Sequence, residues 1–178
     1  MDIFAHTLWA NVLARKANRL GTKSDKVKIP VGWAMFWGVF PDLFAFGIPV
    51  ILSLPIIFKN LSTGFGIYAF FPNQILSHEL YNYSHSFVFF GIVFLGTWVY
   101  FRRPRFELLG WALHILIDIP SHVLSFFPTP LLFPLSSYHF PYGLSWADPR
   151  YMIVNYTLLA GALIYLYLTR AKKSNEKV

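Results

Sequence analysis

The chain has 178 residues, of which 56 % are hydrophobic, 20 % aromatic and only 13 % charged. A soluble domain of this size needs more charge to keep its surface wet, and the length suits one domain over residues 1–178 rather than two. Its formal charge of +7 invites a nucleic-acid reading, but the placement of the basic residues argues against one: they cluster before, between and after the apolar blocks as a topology signal. No cysteine is present, which removes disulfides, thiolate metal sites and a cysteine nucleophile together.

In chain order, residues 1–20 read as a short helix with Ile3, Phe4, Leu8, Trp9, Val12 and Leu13 as its apolar part. It is too short to span comfortably, and an interfacial or half-inserted position is expected. The start, Met1-Asp2, has no basic leader or cleavage site, so no removable signal peptide is expected. A polar linker, Gly21 to Pro30, follows.

Four apolar blocks come next, at residues 31–58, 86–101, 106–127 and 151–168. About 20 apolar residues cross a bilayer as a helix. The first block is long but carries Pro41, Pro49 and Pro55, so a kink or split is expected there. The second is short unless the segment before it helps. The expected fold is therefore all-α: a polytopic bundle of about four transmembrane helices plus the N-terminal helix. The connections at 59–85 and 128–150 are interrupted by glycine and proline, and a basic tail closes the chain at 169–178.

Six of the fifteen basic residues lie between Arg15 and Lys28. Arg102, Arg103 and Arg105 separate the second and third blocks, and four more follow the fourth. Only Lys59 and Arg150 fall in the remaining connections. Alternation of this kind predicts both termini on the cytoplasmic side of the inner membrane, with anionic lipid as partner.

Ionisable residues inside apolar helices are costly and signal function. Here they are Asp42, in Phe40-Pro41-Asp42, and the pair His114 and Asp118. His114, Asp118 and His122 are spaced by four, which places them in a row on one helix face. Such a row either hydrogen-bonds inside a bundle or binds metal. Asp42, His114 and Asp118 fall at similar depths counted from the basic boundaries, with His85 somewhat farther out. Two carboxylates and several imidazoles at one level would be neutralised by a divalent cation, and nitrogen and oxygen donors without sulfur suit zinc, manganese or iron. Tyr81, Asn82, Ser84, Ser86 and Ser121 are candidates to orient the imidazoles. His78 could share a helical face with His85, and His139 reads as a surface residue.

The order His6, Phe40-Pro41-Asp42, Ser84-His85-Ser86, His114-x-x-x-Asp118 resembles the predicted inner-membrane metal-dependent hydrolases, sometimes described as LexA-binding. The resemblance covers roughly residues 1 to 150, including Pro-Ser-His at 120–122 and the Pro128-Thr129-Pro130 stretch. That family in turn is similar to the zinc-dependent phospholipase C and P1-nuclease superfamily. The resemblance implies that Asp42, His85, His114 and Asp118 hold a first metal, that Asp118 bridges, and that His6 contributes to a second, with His122 as a further candidate ligand. It implies one or two zinc ions and hydrolysis of a phosphoester in a lipid or lipid-linked substrate, Asp42 and Asp118 being the candidate proton acceptors. The chain departs from the pattern twice: Tyr81-Asn82-Tyr83 stands where many members have a His-Arg pair, and Gly143 stands where the soluble enzymes place the Glu of a third-metal His-x-x-x-Glu. The competing reading is a non-enzymatic membrane protein whose metal site is structural, sensory or part of a transport route.

Overall fold

The computed structural model describes residues 1–20, 28–60 and 73–175, and among them every regular element is a helix. Most of the expected polar linker, the middle of the 59–85 connection and the last three residues of the basic tail lie outside the described residues.

Helix α1 (Ile3–Leu20) starts where the Asp2 carboxylate accepts from the Ala5 backbone N–H at 3.0 Å, satisfying one of the free donors of the first turn. It buries Ala5, His6, Ala10 and Ala14, while Phe4 is 76 % exposed. The face of α1 turned to the rest of the protein is thus its small-residue side rather than its bulky one. The small residues form the packing stripe, because close helix approach needs small side chains.

That stripe lies along α2 (Val31–Asp42), which buries Ala34, Gly38, Pro41 and Asp42. A Cβ on Gly38 would stand 2.6 Å from the Ala10 Cβ, so only glycine fits. On the other side of α2 runs α6 (Leu109–Ser121), whose Gly110 meets the Ala34 carbonyl so closely that any side chain there would collide with backbone. These two contacts bring α1, α2 and α6 together without intervening side chains.

After Asp42 the helix widens into a π turn, Leu43–Gly47, and continues as α3 (Ile48–Asn60). Pro41 removes a helical donor immediately before this turn. The expected disruption of the first block is thus a local change of winding at Leu43–Gly47.

Helices α4 (Gln74–Ser84) and α5 (Phe87–Phe101) meet at a bend of 57° around His85 and Ser86. Ser86 caps α5, accepting from the Val88 N–H at 3.1 Å while donating to the Phe133 carbonyl at 2.7 Å. No residue of α5 is fully buried. Its Phe87, Phe90 and Phe94 pack on Leu108, Trp111 and Ile115, and its other side is apolar and exposed, with Ile92, Leu95 and Val99 outward. Helix α7 (Pro149–Asn175) begins with Asp148 accepting from the Arg150 N–H, and the neighbouring Arg150 side chain holds the Asp148 carboxyl at about 2. It is tied to α1 by polar bonds: Tyr156 donates to Asp2, Trp9 to Asn155, and Arg19 to Thr169 and the Leu166 carbonyl.

Among the described residues, two helical segments are long and apolar enough to cross a membrane, Val31–Phe58 with mean hydropathy 1.9 and Pro149–Thr169 with 1.6; the bent pair α4–α5 makes a third if it counts as one span. The expected count of four is not reached by length and composition. The third block fails because its helix α6 has only 13 residues, roughly 20 Å, and six of them are buried. It is the central post of the bundle, with the loop after it closing its end. The backbone N–H groups of Leu144 and Trp146 donate to the carbonyls of Pro120 and Ser121 at 2.8 and 2.9 Å. Gly143 makes this possible, since a Cβ there would overlap the His122 carbonyl. The position where a third-metal Glu would stand therefore has no room for a side chain.

Candidate metal centre

Five elements deliver the ionisable residues to one point. His6 comes from α1, Asp42 from the end of α2, His85 from the α4–α5 bend, His114 and Asp118 from α6, and His122 from the residue after α6. His6, His85, His114 and Asp118 are at most 1 % exposed; Asp42 and His122 are 9 % and 8 % exposed.

Asp42, His85, His114 and Asp118 can each offer one atom such that all four lie within 4.8 Å of one another. His85 Nε2 is 3.0 Å from His114 Nε2 and 3.4 Å from Asp118 Oδ2. His114 Nε2 is 3.1 Å from Asp118 Oδ2, and Asp42 Oδ1 is 3.6 Å from both imidazole nitrogens. Ligands at 2.0–2.1 Å from a tetrahedral ion stand about 3.3–3.4 Å apart. The distances bracket that value, so these four residues could hold a metal ion with small adjustments.

The hydrogen bonds around the ring support the same conclusion. His114 Nδ1 lies 2.7 Å from the Gly38 carbonyl, which can only accept, so Nδ1 carries the proton and Nε2 the lone pair. Ser84 Oγ faces both the Tyr81 carbonyl at 3.5 Å and His85 Nδ1 at 2.9 Å. If the hydroxyl donates to the carbonyl, it accepts from Nδ1, and His85 also turns a bare Nε2 inward. Two lone pairs facing each other at 3.0 Å between two carboxylates repel unless a proton or a metal ion lies among them. Asp118 Oδ2 and both ring nitrogens of His6 have no hydrogen-bond partner although buried, which is costly without a further ligand.

No family model matches the chain, and neither a curated protein nor a solved structure does. The site is therefore read from its own geometry.

A second group of contacts surrounds the other oxygen of Asp118. His6 Nε2 is 3.0 Å from Oδ1, off the line a hydrogen bond needs, and His122 Nε2 is 3.5 Å away. Ser121 donates to Oδ1 at 3.2 Å, and the Met1 amino group lies 2.5 Å from it and 3.2 Å from His122 Nε2. The His6 ring is stacked on His114 at 3.6 Å between centroids. Every residue expected as a ligand is thus within reach of Asp118 or its neighbours.

Four expectations are corrected. The row His114, Asp118, His122 is not one helical face, because α6 ends at Ser121 and His122 has extended backbone (φ −118°, ψ 141°). His122 still reaches Asp118, through the chain's turn rather than the helix repeat. His85 is not farther out than the rest, because the bend at 85–86 brings it inward, which a residue count along a straight helix cannot register. Among the candidate orienting residues, Ser84 contacts His85, Ser121 contacts Asp118, and Tyr81 stacks on His85 at 3.7 Å; Ser86 instead caps α5. His78 belongs to a different place, stacked on Phe127 at 4.0 Å. His139 is half-buried in the loop before α7.

Sequence reasoning missed the Gly38 carbonyl, the Met1 amino group and Trp111, whose indole donates to the Ser84 carbonyl at 2.6 Å and so holds the bend that carries His85. One signal was present: Gly38 and Gly110 stand four residues before Asp42 and His114, on the same helix faces as the ligands. Ser84→Ala is expected to weaken metal binding by roughly tenfold, within the 10–100-fold range of groups that orient a ligand imidazole. Competition with a chelating dye checks this, and unchanged affinity would show that the bend alone orients His85.

Proposed function

We propose that the chain is a membrane-embedded, metal-dependent hydrolase that cleaves a phosphoester of a lipid or lipid-linked substrate. The observation that carries this reading is an open flank. A cavity of about 930 Å³ is lined by Asp42 and His122 together with apolar side chains such as Phe46 and Phe127 and polar ones such as Asp2, Ser77 and His78, so the ligand set has access to a bound molecule on one side. A structural metal site is closed by its own ligands, whereas a hydrolytic one leaves a position for water or substrate.

In this reading Asp42, His85, His114 and Asp118 would hold the ion, with zinc the first choice for such donors, and His6, His122 and Asp118 would hold a second where the Met1 amino group gives way. A divalent ion there supplies Lewis acidity, acidifying water and drawing charge from the phosphoryl oxygens. Asp42, on the cavity wall, takes the proton of the attacking water as its oxygen bonds to phosphorus. The ester oxygen–phosphorus bond breaks, and the leaving alkoxide takes up the proton that Asp42 accepted, departing as the alcohol. Gly38 and Ser84 keep the two imidazoles pointed inward throughout.

The membrane setting follows from the apolar, exposed surfaces of α3, α5 and α7 and from the distribution of basic residues. We place the protein in the cytoplasmic membrane with both termini inside, α6 and the α4–α5 pair completing a four-segment bundle. The resemblance to the inner-membrane hydrolases agrees with this arrangement through His6, Asp42, His85, His114 and Asp118.

The test is phosphate or phosphorylated headgroup release from radiolabelled membrane lipids by detergent-purified protein supplied with zinc or manganese. Metal-dependent release by wild type is expected, with a loss of at least about a hundredfold in Asp42→Asn on the range of acid–base contributions. Equal turnover in Asp42→Asn would remove its role. No release from any lipid class would leave the site without a hydrolytic function.

A further inference from the structure

The cavity beside the metal centre has two unlike walls. One is formed by the π turn and the start of α3, where Leu43, Phe46, Gly47 and Val50 are spaced to face one side. The other is the first turn and a half of α4, where Gln74, Ser77 and His78 fall at helical neighbours i, i+3 and i+4. The first wall is apolar and the second is polar. Asp42 and His122 of the metal centre also line the cavity, as do Met1, Asp2, Ile3 and Phe4 at the chain's start, while Phe126 and Phe127 bound it elsewhere.

Two details make this a binding site rather than a packing gap. Ser77 is 2 % exposed, yet its hydroxyl has no hydrogen-bond partner among the described residues. A buried hydroxyl bonds almost everywhere in proteins, so its missing partner belongs to whatever occupies the cavity. A Cβ on Gly47 would meet nothing within 4 Å, so the apolar wall is recessed at this point. The volume lies toward the upper end of the range for small-molecule sites, enough for a flexible chain as well as a head.

We infer that this cavity binds a phosphate-bearing amphiphile, its alkyl or acyl chain along Leu43, Phe46, Gly47 and Val50. A hydrogen-bond acceptor beside its head, an ester carbonyl or hydroxyl, receives the Ser77 hydroxyl with Gln74 and His78 alongside. The phosphate end points to Asp42 and His122. The inference rests on the hydrolase reading for the identity of the head, and it adds the chain and the residues that select it. Gly47 sets how much chain fits, and Ser77 distinguishes acyl from plain alkyl compounds. Neither residue belongs to the metal centre.

Photolabelling tests this without turnover. Purified protein is irradiated with an acyl-glycerol phosphate carrying a diazirine in its chain, and the labelled peptides are mapped. Label is expected at Leu43–Val50 and at Phe126–Phe127. Hexadecyl phosphate should compete roughly tenfold or more better than butyl phosphate, since each buried methylene is worth about fourfold in binding. Gly47→Phe should cut this labelling about tenfold by filling the recess, and Ser77→Ala should lower it severalfold for the acyl probe but not for an alkyl one. Label confined to α5 and α7, or equal competition by the short and long phosphates in wild type, would overturn the proposal without recourse to any variant. The two readings separate cleanly. Cavity labelling in a protein with no metal-dependent hydrolysis leaves this site standing and removes the enzyme. Hydrolysis of butyl phosphoesters that ignores Gly47→Phe leaves the enzyme and removes this site.

Discussion

Asp118→Ala is expected to abolish metal retention and, with it, any hydrolysis. Asp118 is the residue on which both sides of the centre converge: Oδ2 lies 3.1 and 3.4 Å from His114 and His85, and Oδ1 lies 3.0 Å from His6. Groups that merely orient a ligand cost 10–100-fold in affinity, so losing this carboxylate should exceed roughly a hundredfold. Mass-spectrometric metal content of the purified protein reads the result directly. Thermal unfolding adds a second arm: metal at about a hundred times its dissociation constant stabilises wild type by about 2.7 kcal/mol, and Asp118→Asn should show no such increment. Near-stoichiometric metal in Asp118→Ala would instead make the cluster a polar network that packs helices.

The ligands are legible in the sequence because they break a rule: carboxylates and imidazoles do not enter apolar segments without a partner. Asp42, His114 and Asp118 stand out for that reason alone. What a linear reading does not provide is the path of the chain between them. A count along a straight helix puts His85 at a shallower level, and the 57° bend between α4 and α5 changes its position. The four-residue spacing puts His122 on a helical face that ends one residue earlier, at Ser121.

The fold is legible in class and less so in detail. Apolar runs mark helices in a lipid-facing chain, but they do not distinguish a helix that crosses the membrane from one enclosed by its neighbours. Helix α6 has the hydropathy of a span and the length of a core element. For α1 the difficulty is complementary. Its large apolar residues dominate the sequence pattern, whereas its inward face is made of Ala5, Ala10 and Ala14. Where helices approach as closely as α1 and α2 do, the fit of small residues decides which face turns inward.

That argument makes Gly110→Val the second large effect. Gly110 sits against the Ala34 carbonyl and close to the Gly38 nitrogen, so the new side chain meets backbone and cannot be relieved by a rotamer change. Overpacking a close contact costs about 1–3 kcal/mol, and here α6 must move away from α2 as a unit. The separation acts on the site as well, because His114 is one turn from Gly110 and its Nδ1 is bonded to the Gly38 carbonyl across the same contact. Metal affinity and thermal stability should therefore fall together in Gly110→Val, and Gly38→Val should do the same through Ala10 and α1. Gly161→Val on α7 is the control, since a Cβ there meets nothing, and it should change neither quantity measurably. Stability lost at Gly110 with metal affinity intact would mean that α6 carries its ligands independently of α2, and the Gly38 carbonyl would then have no part in setting the tautomer of His114.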